Sequence, residues 1–145
     1  MPSVNTAFKV EAVLDNLDTV LNKIETVLDD VECPPKTAMQ IALTIEELFV
    51  NVANYAYPGI VGGCDFSLQA EGEEGMEHRG YIVIEMRDKG IPFDPLAKED
   101  PDITLSAEER KIGGLGIFMA KQIMDEIDYQ REGNENVMKM KKVWT

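Results

Sequence analysis

The stretch from residue 64 to residue 71 alternates between apolar and polar side chains without interruption. Its apolar side consists of Cys64, Phe66, Leu68 and Ala70, and its polar side consists of Asp65, Ser67, Gln69 and Glu71. Successive side chains of a β-strand point to opposite faces of the sheet, so this pattern predicts a strand with one buried face and one face in water. The chain is therefore restricted to folds that contain a half-solvated sheet.

A second strand follows after a turn. Residues 72–80 are polar and bounded by glycines, which is typical of a hairpin loop, and the return strand is predicted at 81–88. The apolar row of this strand contains Ile82, Ile84 and Met86, and counting by twos places Asp88 in the same row. A carboxylate at the end of a core-facing row is costly unless it is hydrogen-bonded, so a purely structural role explains Asp88 poorly.

Two helices are predicted before this hairpin. A short strand at 8–13 is followed by a helical pattern that ends at Cys33-Pro34-Pro35. The second helix is predicted from Pro35 to Tyr57, with an apolar stripe facing the core. A different stripe, displaced by more than a quarter turn, consists of Glu47, Asn51 and Asn54. A carboxylate and an amide one turn apart can face a ligand together, although the pattern alone is more typical of a solvated edge.

A glycine cluster opens the last predicted helix. Gly113, Gly114 and Gly116 run into a helical pattern of apolar residues that begins at Ile117. Glycines at a helix start let backbone N–H groups approach a ligand, and the helix dipole adds positive potential at the same point. Taken alone, the stretch fits a phosphate-binding cradle and an ordinary hinge equally well.

The segment between Pro95 and the glycine cluster carries no sustained strand pattern and is rich in Pro, Asp, Glu and Lys. A loop of that length in a compact domain is usually functional or disordered. After the glycine-started helix, strands are predicted at 129–132 and 137–143, with Met138 and Met140 facing inward. Because no repeat or linker divides the chain, residues 1–145 are predicted to form a single domain.

Charge and composition limit the partners. The chain has 14 basic and 27 acidic residues and a formal charge of −13, which repels nucleic acid and anionic membranes. We therefore predict no direct nucleic-acid or membrane partner. Two cysteines and a single histidine argue against a disulfide framework, a histidine-based metal site and a Ser/His/Asp triad. A signal peptide and a membrane-spanning apolar run are not visible, so a cytoplasmic location is expected.

The order of these features along the chain resembles that of one known family. The family is the ATP-binding domain (the Bergerat fold) of gyrase, histidine kinases and MutL. The chain is most similar to its stand-alone branch, which contains anti-sigma factors that are serine-protein kinases. The resemblance is carried by Glu47–Tyr57, Asp88–Pro95 and Gly113–Ile127. A Rossmann site or a P-loop is disfavoured, because no strand runs into the glycines and no Lys-Ser/Thr ending follows them.

The resemblance implies a fold and a set of site residues. The fold is α+β, a two-layer α/β sandwich whose mostly antiparallel, mixed sheet is covered on one face by about three helices. Asn51 is similar to the family's magnesium ligand, and Glu47 is similar to its general base. Asp88 would accept a hydrogen bond from the adenine amino group, and Gly90 would let the backbone approach the base. Asn54 is expected near the nucleotide, and the phosphates would meet Gly113, Gly114, Leu115 and Gly116.

The resemblance also implies a function. The chain is expected to bind ATP and Mg²⁺ and to phosphorylate a small antagonist protein on Ser or Thr, in a partner switch that involves a sigma factor or similar client. Homodimerisation is possible in this family. The alternative is a nucleotide-gated binding module without kinase activity. Ile112 favours it, because it occupies the position of an arginine that meets the γ-phosphate in related kinases. Lys139 corresponds to a threonine near the adenine.

Overall fold

The computed structural model describes residues 2–73, 79–97 and 115–145. Within these ranges, the strands are β1 (Ser3–Glu11), β2 (Gly63–Gly72), β3 (Gly80–Asp88), β4 (Glu126–Glu132) and β5 (Glu135–Trp144). The helices are α1 (Leu17–Asp30), α2 (Pro35–Asn51) and α3 (Leu115–Ile123). Short 3₁₀ turns lie at Leu14–Asn16 and Pro95–Ala97, and a π-helical turn, Val52–Ala56, continues α2.

The strands form one sheet in the order β1-β2-β3-β5-β4. Every pairing within the described ranges is antiparallel, and β3 lies at the centre between β2 and β5. The helices α1 and α2 separate β1 from β2 along the chain, and α3 precedes β4. An antiparallel sheet with segregated helices confirms the predicted α+β class.

The strands are longer than the hydrophobic pattern predicts. The first strand, predicted at 8–13, begins at Ser3 because it pairs with β2 along its whole length, from Ser3 opposite Glu71 to Glu11 opposite Gly63. The fourth strand likewise begins at Glu126, three residues before the predicted start, because its backbone pairs with Lys141 of β5. Ladder hydrogen bonds join backbone groups, so they continue past the last apolar side chain that the sequence shows.

The core lies between the helices and one face of the sheet. The predicted apolar rows of β2 and β3 are buried there, as are the inward residues of α1 and α2. Phe66 is 1% exposed and stacks on Phe8 with ring centroids 4.8 Å apart and on Phe49 at 6.1 Å. The helix α2 contacts both α1 and α3, so it lies in the middle of the covering layer.

The other face of the sheet carries charged side chains, as the alternation predicts. Arg87 forms ion pairs with Glu85 and, at 2.9 Å, with Glu132 of β4. Lys141 lies over the ring of Tyr81, with its Nζ 5.4 Å from the ring centroid. None of the helices in the described part of the chain is long and apolar enough to cross a membrane.

Phe66 provides a test of this core. Replacement by alanine removes a buried ring from between two other rings, so we expect Phe66→Ala to lower the free energy of unfolding by about 3–5 kcal/mol. Phe8→Ala removes a ring that is only partly buried at the edge of the same stack, and should cost less. Urea unfolding followed by circular dichroism measures both. Equal losses would contradict a core centred on Phe66.

Candidate functional site

The site is built around Asp88, at the end of β3. Asp88 is only 7% exposed, and it faces Asn136 of β5, its Cα partner across the two strands. Its Oδ1 atom accepts hydrogen bonds from the Gly90 N–H at 3.0 Å and from Nδ2 of Asn136 at 2.9 Å. No group in the described part of the chain donates to Oδ2. One carboxylate oxygen is thus held by the protein, and the other can accept from a ligand.

The groups around Asp88 do not fully offset the effect of burial on the pKa of its carboxyl. Burial raises the pKa of the carboxyl above its usual value, because a low-dielectric surrounding disfavours the charged form. The Asn136 amide, the Gly90 N–H and the positive charge of Arg131 lower this pKa, whereas the charge of Glu135 raises it. The net shift is upward, so a further hydrogen-bond donor would stabilise the carboxylate.

The turn after Asp88 packs tightly against the end of α2. A Cβ atom added at Gly90 would lie 2.4 Å from the carbonyl oxygen of Ala56 and 2.5 Å from its Cβ atom. The next residue, Ile91, donates its N–H to the same carbonyl at 2.9 Å. A glycine is therefore required at position 90 by close backbone approach. Tyr57 adds a second tie, since its hydroxyl accepts from the Lys89 N–H at 2.8 Å and donates to the Gly63 carbonyl at 2.5 Å.

Asn51, in the last turn of α2, is buried with an unsatisfied side chain. It is 9% exposed, and its Nδ2 atom has no hydrogen-bond partner among the residues that the structure describes. Leaving such a group unpaired costs about 1–3 kcal/mol, so a ligand that pairs with it would be stabilised. Since the amide can rotate, it can present either its nitrogen or its oxygen to that ligand.

The described residues hold no group of three or more His, Cys, Asp or Glu that could bind a metal ion. A metal at this site would therefore depend on the oxygen of Asn51 together with oxygens of a bound phosphate and water. That set suits Mg²⁺, which keeps several waters and uses few protein ligands when it binds a nucleotide. The donors that are present thus fit the predicted magnesium ion.

A narrow cavity joins Asp88 to Asn51. Its lining consists of Leu48, Asn51, Val52, Ala56, Asp88, Phe93, Pro95, Tyr129, Asn136 and Met138. Asn54, predicted on the same stripe as Asn51, is exposed and does not line this cavity. The reason is the π-helical turn, whose i→i+5 bonds widen the helix and shift the side chains out of α-helical phase. The role of Asn54 stays a prediction without geometric support.

The structure brings Glu47 against the start of α3. A Cβ atom added at Gly116 would lie 2.4 Å from Cδ of Glu47, so a larger residue at position 116 would displace the end of the Glu47 side chain. Glu47 and Gly116 both line a cavity of about 320 Å³ between α2 and α3. The helix α3 begins at Leu115, and Gly113 and Gly114, like Ile112, lie outside the described residues.

The sequence analysis missed Asn136 and misplaced Lys139. Lys139 is exposed and pairs with Glu85 and Asp128 on neighbouring strands, so its placement near the adenine is wrong. Asn136, 4% exposed, is the residue of β5 beside Asp88. The sequence does indicate this residue: Asn136 lies two and four residues before Met138 and Met140, so it shares their inward face and is a polar residue in an apolar row. The predicted strand began at residue 137 and therefore left it out.

A family model for the histidine kinase-like ATPase domain matches residues 10–142. The chain belongs to the histidine kinase-like ATPase domain family. Membership in an ATPase domain family implies that the chain binds ATP. It also places most of the chain, from the end of β1 to within β5, in that one domain family.

Among solved structures, the fold is similar to the RsbU and RsbW domains of Rv1364c from Mycobacterium tuberculosis. The TM-score is 0.62 and the sequence identity is 13%, so the likeness concerns the fold alone. The match covers 98% of this chain and 33% of the other, so the chain spans about a third of that structure's length. No curated protein sequence matches the chain significantly.

Gly90 allows a test of the turn. Because a methyl group would meet the backbone of Ala56, we expect Gly90→Ala to lower the free energy of unfolding by about 1–3 kcal/mol and to weaken ATP binding. Gly59→Ala is the control: it carries strain at φ 74° with no atom within 4 Å, so it should destabilise without changing the affinity for ATP. Unfolding in urea and calorimetric titration measure the two effects. Equal ATP affinities in the two variants would contradict the assignment of the Gly90 turn to the nucleotide site.

The raised pKa of Asp88 predicts a pH dependence of stability. Its folded-state pKa lies above the usual value of 3.8, so between the two values the native state binds more protons than the unfolded state. Stability contributed at this site therefore falls as pH rises through that interval. Asp88→Asn keeps an oxygen for Gly90 and Asn136 but cannot ionise. We expect its free energy of unfolding, relative to wild type, to increase from acidic to neutral pH. A pH-independent difference in urea titrations would refute this.

Proposed function

We propose that the chain is an ATP-binding regulator of the anti-sigma type that transfers the γ-phosphoryl group of ATP to a Ser or Thr of a small antagonist protein. The observation that carries the proposal is the half-satisfied carboxylate of Asp88. It lies in a cavity whose other polar lining includes the unpaired amide of Asn51. These two residues belong to separate elements, and both present polar atoms that a nucleotide would pair.

In this proposal the adenine lies at the end of the cavity that contains Asp88. The amino group of the base donates to Oδ2, and the apolar residues Val52, Ala56 and Met138 pack around the ring. A hydrogen bond between an amino group and a buried carboxylate is stronger than one between neutral groups, because the acceptor is charged. This contact would also offset part of the burial cost that raises the pKa of Asp88.

The phosphates extend from this cavity towards Asn51 and Glu47, one helical turn apart on α2. Asn51 would hold Mg²⁺ together with phosphate oxygens, and the ion supplies charge neutralisation when it is bound. The acceptor hydroxyl oxygen bonds to the γ-phosphorus, and the bond to the bridging oxygen breaks, so that ADP leaves with the electron pair. The hydroxyl proton passes to the carboxylate of Glu47, which acts as the general base.

The partner-switch part of the proposal draws on the sequence resemblance to anti-sigma kinases. The fold shared with the RsbU and RsbW domains of Rv1364c is consistent with it. Charge provides a physical reason: a phosphoserine adds about −1.5 to −2 charges at neutral pH, and this chain carries −13. Phosphorylation would therefore weaken the complex with the antagonist and leave the chain to bind its sigma-like client.

A phosphoryl-transfer assay tests the role of Glu47. With γ-labelled ATP and a small antagonist protein as the acceptor, we expect Glu47→Gln to lower transfer by about 10²–10⁴-fold, because the general base is removed. ATP affinity, measured by calorimetry, should stay close to that of wild type. Glu46→Gln is the matched control, since Glu46 is the exposed neighbour on the same helix. It should retain transfer.

Equal labelling by wild type and Glu47→Gln would remove Glu47 from the role of base. Magnesium-dependent ATP binding without transfer by the wild type would instead support a nucleotide-gated binding module, the function that Ile112 favours. Absence of ATP binding by the folded wild type would overturn the proposal as a whole.

A further inference from the structure

We propose that Asn136 is a positioning residue that orients Asp88 for recognition of the base, and that Tyr129 and Arg131 hold Asn136 in place. The inference rests on the proposed contact between Asp88 and adenine. It assigns to these three residues of β4 and β5 the discrimination between a purine with an amino group at C6 and one with an oxo group.

The side chain of Asn136 is completely engaged by the protein. Its Nδ2 donates to Oδ1 of Asp88 at 2.9 Å and to the Ile91 carbonyl at 2.8 Å. Its Oδ1 accepts from the Tyr129 hydroxyl at 2.5 Å, from Nη1 of Arg131 at 3.2 Å and from the Phe93 N–H at 3.3 Å. Both donor hydrogens and the acceptor oxygen are used, so Asn136 acts on a ligand through Asp88 rather than by touching it.

These partners allow the amide only one orientation. The guanidinium of Arg131 and the N–H of Phe93 can only donate, and they face Oδ1. The carbonyl of Ile91 can only accept, and it faces Nδ2. A rotation of the amide by half a turn would place donors against donors and acceptors against acceptors. Nδ2 is therefore kept towards Asp88.

Arg131 also ties this network to the turn that follows Asp88. Its Nη1 donates to the Gly90 carbonyl at 2.8 Å, in addition to its bond with Asn136. The Gly90 N–H in turn donates to Oδ1 of Asp88. Two hydrogen bonds thus converge on Oδ1, and Arg131 contacts each of the two residues that donate them. The rotation of the carboxylate is restricted, so Oδ2 is the oxygen left for the ligand.

A carboxylate that cannot rotate distinguishes adenine from hypoxanthine. The amino group of adenine donates to Oδ2, whereas the oxo group of hypoxanthine would bring a lone pair against it. If Asp88 could rotate or move, the amino contact would weaken and the repulsion of the oxo group would be relieved. The ratio of the dissociation constants for ITP and ATP therefore reports how firmly Asp88 is held, because the two nucleotides differ only in the base.

The experiment measures this ratio by fluorescence competition for wild type, Asn136→Ala and Tyr129→Phe. Loss of a bond to a charged group corresponds to about tenfold, so we expect Asn136→Ala to lower the ITP/ATP ratio about tenfold, with a smaller decrease for Tyr129→Phe. The controls are Asn134→Ala, an exposed amide in the same hairpin, and Tyr81→Phe, on the other face of the sheet. Neither should change the ratio.

A purely structural role for Asn136 predicts a different result. Lower stability reduces the folded fraction equally for both nucleotides, so it leaves their ratio unchanged. If Asn136→Ala does not fold, the decision rests on Tyr129→Phe, which removes one hydroxyl and leaves the ring. An unchanged ratio in the folded variants would overturn the positioning role.

A double variant separates this inference from the proposed function. In the Asp88→Asn background, Asn136→Ala should lower the ratio no further, because Asn136 acts only through the carboxylate. If Asp88→Asn alone has the same ITP/ATP ratio as wild type, the adenine contact in the proposed function is wrong. If Asp88→Asn lowers the ratio but Asn136→Ala does not, the adenine contact stands and the positioning role fails.

Discussion

The antiparallel pairing of β3 with β5 is the interaction on which the site depends. It places Asp88 directly opposite Asn136, although the two residues are separated by 48 positions in the chain. The pairing of β4 with β5 then brings Arg131, the Cα partner of Asn136, and Tyr129 within reach, with β4 at the edge of the sheet in the described part of the chain. A register shift of one residue would turn Asn136 to the wet face and leave the carboxylate buried without its partner.

The burial of Asp88 shows how the fold and the site constrain each other. Moving a carboxylate out of water costs several kcal/mol, and each hydrogen bond from the protein returns about 1.5–3 kcal/mol. Two bonds to Oδ1 and the charge of Arg131 offset much of this cost, yet the pKa of Asp88 stays raised. The protein therefore retains a carboxylate that it has only partly satisfied, which is the state expected of a group that awaits a ligand.

Sequence reasoning succeeded where side-chain periodicity carries the information. The alternation in β2 predicted its buried face, and counting by twos identified Asp88 as a polar residue in an apolar row. The role of Asn54 stays a prediction, because the π-helical turn changes the helix period and no local pattern of residues indicates that change. Sequence reasoning missed Asn136 because the predicted strand began one residue too late. The position of Lys139, taken from the family resemblance, was wrong because its side chain lies on the exposed face of the sheet. These limits concern backbone geometry set by tertiary contacts.

The two ends of the site are held by different kinds of force. Asp88 is held by directional hydrogen bonds, one from the turn after β3 and one from β5. Removing either donor would let its carboxylate adopt a different orientation. Glu47 lies where α2 meets α3, and that contact combines apolar packing by Ile117 with the close approach of Gly116. Apolar packing is not directional, so helices can shift by fractions of an ångström without losing it. In the proposed function, base recognition would therefore belong to the rigid end, and the end that carries Glu47 would retain freedom to adjust to phosphate and acceptor.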